Sequence, residues 1–278
     1  MKIVVVIQAR TASTRLPGKV LAPICGRPLL SLMLDRVRAA CEPDDVIVAT
    51  TLDPSDDAIV RLCQASEAPY YRGSLEDCLD RHVQAATARD ADAVVKIPSD
   101  CPLIAPSVID AVLSAYRHNA ATYDYVSNLH PASWPDGNDV EVMSMGALHY
   151  AAAQARDAFD REHTTPFLWS RPERFRLGNV LWRKSADHAR RFRWVVDWAE
   201  DLTLVRELFE RLLPVHGPVF EVEEILALIE RAPELEHINA AHRGYDYAQG
   251  RREQRPLIQP TSFETTETPQ TPSTPTTH

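Results

Sequence analysis

Apolar positions along this chain alternate between two spacings. Val4–Ile7, Val46–Thr50 and Ala93–Ile97 are short, β-branched runs bounded by turn residues, and they predict strands. Between them, the stretches Leu29–Ala40, Asp56–Glu67 and Glu76–Arg89 carry apolar residues at helical spacing. That alternation predicts βαβ units and a mostly parallel sheet. Further on, Pro106–Asn119, Ser144–Phe159 and Leu202–Leu213 predict helices, Glu221–Arg231 a weaker one, and Val140–Met143 a strand in which valine alternates with charge. No internal repeat is visible. From residue 251 the sequence turns to Thr and Pro, ending in "RPLIQPTSFETTETPQTPSTPTTH". Such a stretch buries too little surface to offset its ordering entropy, so 251–278 is expected to be a disordered tail behind a single domain over 1–250.

Composition narrows the function classes. The chain has 278 residues, 45% of them hydrophobic, enough for one large α/β core. Its formal net charge of −9 argues against a general nucleic-acid-binding surface, which needs a basic excess. The apolar start Ile3–Ile7 is too short for a signal core or a membrane span. Five scattered cysteines without a CxxC pair read as buried thiols in a reducing cytoplasm, with no zinc site.

Against that acidic background, the first loop is cationic. It follows the first strand and holds Arg10, Arg15 and Lys19, with hydroxyls on Ser13 and Thr14 and a turn at Pro17-Gly18. In open α/β sheets ligands sit beyond the carboxyl ends of the strands, where this loop leaves. Forked arginine contacts and a compact ammonium suit several phosphate oxygens. The loop is neither GxxxxGK[ST] nor GxGxxG. Two acids also stand at the ends of apolar runs, Asp100 in "KIPSDCPLI" and Asp197 in "RWVVDWAEDL". Two strand-end carboxylates near a phosphate loop suit Mg²⁺, which takes few carboxylates plus phosphate oxygens. Glu200 and Asp201 read as first-turn acids of the following helix.

"IQARTASTRLPGKVL" resembles the signature of nucleotidyltransferases that activate sugars with CTP. It is most similar to the cytidylyltransferase family named for spore-coat polysaccharide biosynthesis protein F. The 3-deoxy-manno-octulosonate and acylneuraminate cytidylyltransferases are more distant relatives. The resemblance continues through "VATT", "DDAI", "RGSLEDCLDR", "SDCPLI", "DYVSN", "PDGNDVEV", "REHTTP" and "VVDWAEDL", covering about residues 1–215. It implies a Rossmann-like nucleotidyltransferase fold, the nucleotide-diphospho-sugar transferase type, with a mixed, mostly parallel sheet flanked by helices. It also implies that Arg10, Ser13, Arg15 and Lys19 hold the CTP triphosphate, with Gln8 and Ala9 also nucleotide-binding, Arg10, Lys19 and Asp100 catalytic, and Asp100 and Asp197 as Mg²⁺ ligands. Ser99 and Trp198 depart from the family, where Gly and Thr are common.

The remaining blocks concern the base and the acceptor. Ser74 and Asp77 have capping-box spacing, and Asp77 and Arg81 the spacing of a helix-face ion pair. The functional reading places Arg72 and Ser74 at the cytosine edge instead, and the family match makes the block, with Asp77, part of the nucleotide pocket. Asp139 and Glu141 share a face of a predicted strand, and the match makes them, with His163, an acceptor-pocket wall whose turn holds Asp136 and Gly137. The irregular segment at about 130–190 is expected to supply that pocket, a dimer contact, or both. The basic run Arg183–Arg193 reads as a solvated face that an anionic acceptor could also meet, and His242 and Arg243 receive no role. The expectation is a cytoplasmic, homodimeric, Mg²⁺-dependent enzyme transferring CMP from CTP to a sugar or sugar acid for a surface polysaccharide. Alternatives are a phosphonate or carboxylate acceptor and a catalytically silent nucleotide binder.

Overall fold

The computed structural model describes residues 1–182, 188–245 and 261–264. Besides a two-residue hairpin pairing Pro23–Ile24 with Arg27–Pro28, its strands are β1 (Ile3–Gln8), β2 (Asp45–Thr51), β3 (Tyr70–Gly73), β4 (Ala93–Pro98), β5 (Tyr125–Ser127), β6 (Glu141–Ser144), β7 (Leu177–Leu181) and β8 (Thr261–Glu264). They form one sheet in the order β8-β7-β5-β6-β4-β1-β2-β3. Neighbours are parallel, except that β6 runs antiparallel to β4 and β5.

The helices are α1 (Leu29–Ala39), α2 (Asp57–Ala65), α3 (Cys78–Thr87), α4 (Pro106–Asn119), α5 (Met145–Gln154), α6 (Ala158–His163), α7 (Pro166–Trp169), α8 (His188–Arg191), α9 (Ala199–His216) and α10 (Val222–Arg231). On one face, Ile3, Val5 and Ile7 of β1 join a core shared with α1, α4, α9 and α10; on the other, Val4 and Val6 join α3, α5 and α7. Burial on both faces is why β1 reads as an unbroken apolar run. Each such fully buried aliphatic side chain contributes about 1.5–3 kcal/mol.

The reversal of β6 positions the site. It sets the amino end of β6 beside the carboxyl ends of β4 and β5. Residues leaving β1 and β4 and residues entering β6 therefore converge at one edge.

The structure departs from the sequence reading in four places. The expected Ser144–Phe159 helix is two helices, because Ser144 caps α5 and Asp157 caps α6, its carboxylate accepting from Phe159 N at 2.9 Å. Strands β5 and β7 are additional; β5 has only three residues, too few for alternation to register. The apolar stretch Trp194–Val196 is no strand. Trp194 N donates to Asp136 O at 2.7 Å and Val196 N to Asp100 O at 2.8 Å, so the stretch lies under two loops and its apolarity reflects burial alone. Of the tail, the described residues Thr261–Glu264 form β8 on the otherwise open edge of β7; the rest of 251–278 lies outside the described residues.

Candidate active site

The loop leaving β1 is folded by a residue outside it. Asp56, 1% exposed, accepts hydrogen bonds from Thr11 N and Thr11 Oγ1, each at 2.7 Å, and its second oxygen accepts from Thr51 Oγ1 at 2.5 Å. Burial alone would raise this carboxyl; the bonds from Thr51 and Thr11 outweigh it and hold Asp56 below the usual range. Thr11 O in turn accepts from Ser13 N and Gly18 N, each at 2.8 Å. Gly18 closes the loop with φ +72°, a left-handed conformation that suits glycine. The chain then enters a single 3₁₀ turn, Lys19–Leu21.

That turn directs Lys19, 8% exposed, into the sheet edge. Its Nζ donates to Asp100 Oδ2 at 3.0 Å, Asp197 Oδ1 at 3.0 Å and Val196 O at 2.7 Å. Burial disfavours the ammonium, but the two carboxylates prevail and Lys19 lies above the usual lysine range. Asp197 also receives Arg15 at 2.5 Å and Arg193 at 2.8 Å. Burial pushes the Asp197 carboxyl up, while Lys19 and Arg15 bring it below normal. Arg193, 3% exposed, reaches Asp136 at 3.1 Å and Asp201 at 3.4 Å. Asp201 does more than favour the helix dipole: it accepts from Asp197 N at 2.9 Å and Trp198 N at 3.0 Å, fixing the turn that presents Asp197.

Opposite the cations stands an acidic wall. Asp139 accepts from Gly137 N at 3.3 Å; burial, then the charge of Asp100, raises its carboxyl to about 6. Asp136 is raised by burial and by Asp139, against the pull of Arg193. Glu141 is neither solvated nor unpaired. It is 2% exposed, meets Lys96 of β4 at 2.7 Å and accepts from Tyr125 at 2.5 Å. Burial opposes its charge, but Lys96 draws it down to about 2. His163 packs on Phe159 with ring centres 4.4 Å apart. Burial, then Lys96, lowers it to about 4, so it is neutral at physiological pH.

A cleft of about 1240 Å³ opens over these groups. Gln8, Ala9, Arg10, Ser13, Arg15, Lys19, Asp100, Asp139, Glu141, His163 and Asp197 all line it. Arg10 also contacts Glu162 at 3.4 Å. Arg72, Ser74 and Asp77 are not among the residues that line this cleft. Arg72 donates to Thr51 O at 2.8 Å and Asp53 O at 3.0 Å and pairs with Asp57 at 2.8 Å. Ser74 accepts from Asp77 N at 3.2 Å, and Asp77 caps α3 and pairs with Arg161 rather than with Arg81. In that stretch Leu75, Cys78 and Arg81 line the cleft instead. Cys78 donates to Gln8 Oε1 at 3.1 Å.

Sequence reasoning missed Asp56, Lys96, Arg81 and Arg193. A buried role for Arg193 was detectable only in its place between Phe192 and Trp194, which are buried with it. Arg190 and Arg191 are exposed as expected, and 183–187 lie outside the described residues.

The residues fit a divalent cation in a limited sense. Asp100 and Asp197 converge on one ammonium, so the space between them holds a cation already. Among the described residues no cluster of three or more carboxylate, His or Cys groups forms a metal cage. Two carboxylates facing a phosphate loop match the preference of Mg²⁺ for few protein ligands.

A phosphate-sized cationic loop facing two aspartates, Asp100 just past β4 and Asp197 at the turn into α9, on a sheet covered on both faces, is the arrangement of a nucleotidyltransferase. A sequence model of the cytidylyltransferase family matches residues 4–239. The chain belongs to that family. An uncharacterised protein of Methanocaldococcus jannaschii is 32% identical over 249 residues, 89% of this chain and 98% of that protein. Spore coat polysaccharide biosynthesis protein SpsF of Bacillus subtilis is 28% identical over 237 residues, 84% of this chain and 95% of its own. Among solved structures, a cytidylyltransferase from Leptospira borgpetersenii superposes with a TM-score of 0.79 at 26% identity, covering 84% of this chain and 96% of that one. A CMP:2-keto-3-deoxy-manno-octonic acid synthetase complexed with CTP gives 0.59 at 19% identity, covering 77% and 100%, which bears on the fold alone. No described helix is long and apolar enough to cross a membrane.

Proposed function

We propose that this enzyme transfers CMP from CTP to a sugar or sugar acid, with release of pyrophosphate, in the making of a surface polysaccharide. The observation that carries the reading is Lys19 Nζ, 3.0 Å from both Asp100 and Asp197, at the mouth of the first loop. An acceptor oxygen forms a bond to the α-phosphorus while the bond to the β-phosphate bridging oxygen breaks, and that electron pair leaves with pyrophosphate; a carboxylate acceptor is already ionised, and a hydroxyl acceptor gives its proton to the Asp139 carboxylate in the cleft. Arg10 and Lys19 are fixed positive charges facing the phosphate oxygens where charge builds, and they need little reorganisation as the reaction proceeds. Arg15 and Ser13 position the triphosphate. Asp100 and Asp197 are the residues that would hold Mg²⁺, which when bound offsets charge on phosphate oxygens. The aspartates Asp136 and Asp139, with neutral His163, offer an acceptor hydrogen-bonding groups rather than free cations. That favours a hydroxyl-bearing acceptor over a phosphonate dianion.

The test is pyrophosphate release from CTP, UTP and GTP, each with a panel of sugars, sugar acids and phosphonates, beside calorimetric titration of the nucleotides. Turnover with CTP and a sugar or sugar acid is expected. CTP binding without turnover on any acceptor, or a preference for UTP or GTP, would overturn the reading.

A further inference from the structure

The family match ends at residue 239, yet Arg243, Gly244 and Tyr245 line the cleft. The chain beyond the match is tied to the site by Asn239, whose buried Nδ2 donates to Arg193 O at 2.9 Å and Asp201 Oδ1 at 2.7 Å. From there His242 lies flat on Trp198, ring centres 4.2 Å apart and planes within 6°, while contacting Glu200 at 3.3 Å. After a left-handed turn at Gly244, φ +71°, Tyr245 meets the same indole edge-on, at 5.0 Å and 90°.

Arg15 is held in the angle between those rings. Its Cζ lies 5.2 Å from the Trp198 ring centre and 5.2 Å from that of Tyr245. One nitrogen of its fork donates to Tyr245 OH at 3.2 Å, the other to Asp197 at 2.5 Å. An arginine free in solvent loses much rotamer entropy when it grips a phosphate, and one already ordered loses less.

We propose that Trp198 and Tyr245 are positioning residues for Arg15, and that the segment from Asn239 to Tyr245 completes the triphosphate end of the cleft. The indole of Trp198 is the platform on which both the segment and Arg15 rest. The inference rests on the cytidylyltransferase reading above.

The experiment compares wild type with Trp198→Thr, Trp198→Phe, Tyr245→Leu and Tyr245→Phe. Tyr245 is 44% exposed, so its replacement leaves the core intact. Calorimetry measures binding of CTP, inorganic tripolyphosphate and CMP in Mg²⁺ buffer, and pyrophosphate release gives kcat and KM. Trp198→Thr and Tyr245→Leu should weaken CTP and tripolyphosphate about 3- to 10-fold, the scale of losing a partly exposed cation–π contact. KM for CTP should rise more than kcat falls, CMP binding should stay unchanged, and Trp198→Phe and Tyr245→Phe should recover most of the affinity. Unchanged tripolyphosphate affinity in both non-aromatic variants, or an equal loss for CMP, would overturn the positioning role. A wild-type protein that binds no CTP would instead overturn the nucleotide reading and the positioning role with it, so the two failures are told apart.

Discussion

Lys19→Met keeps most of the buried stem and removes only the ammonium. Three hydrogen bonds go with it, to Asp100, Asp197 and Val196 O. Stripping every partner from a buried ion costs about 3–5 kcal/mol. Here Asp197 retains Arg15 and Arg193, and Asp100, the more exposed of the two acids, recovers water. The expected loss is therefore lower, about 2–3 kcal/mol at pH 7. The sign with pH follows from the shifts. Asp197 is depressed in the folded protein, so its pairing stabilises above the unfolded carboxylate value and is lost as pH falls through the folded one. Lys19 is raised, so its pairing stabilises below the unfolded lysine value and is lost as pH rises through the folded one. The gap between variant and wild type should be full from about pH 5 to 9 and shrink below about pH 4. Urea unfolding in metal-free buffer at pH 7 and at pH 3.5, with equal m-values, measures it. Turnover at pH 7 should fall at least ~10²-fold, as for one lost electrostatic stabiliser. A variant with near-normal turnover, or a stability gap as large at pH 3.5 as at pH 7, would refute the reasoning.

Two other substitutions probe the acceptor side. Lys96→Met removes the ion-pair partner of buried Glu141, which keeps the Tyr125 hydroxyl, and should destabilise by about 3 kcal/mol, while Lys96→Met with Glu141→Gln should recover part of it; thermal unfolding of both checks this. Gly137→Ala places a Cβ 2.9 Å from the Trp194 carbonyl carbon at φ +108°, and should cost at least about 2 kcal/mol and reduce turnover by displacing Asp136 and Asp139; an alanine variant of wild-type stability and rate would contradict the close approach.

The sequence revealed the parts of the fold that repeat a simple period. β1, β2, β4 and the helices between them are buried on both faces or along one stripe, and their apolar spacing says so. β5 is short and pairs with the reversed β6, and β7 pairs in turn with β5, long-range facts that no local pattern carries. In the site, the cationic loop and Asp100 stood out because charge there is out of keeping with the apolar strand before it. Asp56 and Arg193 did not, since a buried Asp in "DPSDD" or a buried Arg in "ARRFRW" looks like any solvated charge until its partners are known. The surroundings of the block expected at the base were not legible in the sequence either. Arg72 follows a strand as a ligand residue would, but the carbonyls of Thr51 and Asp53 and the carboxylate of Asp57 lie nearer than the cleft.

An acidic chain with a cationic loop is less paradoxical once each cation's partner is known. Arg10 faces Glu162, Arg15 faces Asp197, and Lys19 faces Asp100 and Asp197. The loop therefore presents no surplus charge that would draw in nucleic acid or other polyanions at long range. A triphosphate entering the cleft must take these cations from carboxylates that hold them already. The exchange is favourable only if the released carboxylates gain a counter-ion of their own, because Asp197 is nearly inaccessible to water. Metal and nucleotide should thus bind with positive coupling, each more tightly in the presence of the other and by the same factor. Such coupling would make free phosphate and metal-free nucleotide poor ligands, so selectivity would arise from the pairing of charges already present in the site rather than from its net charge.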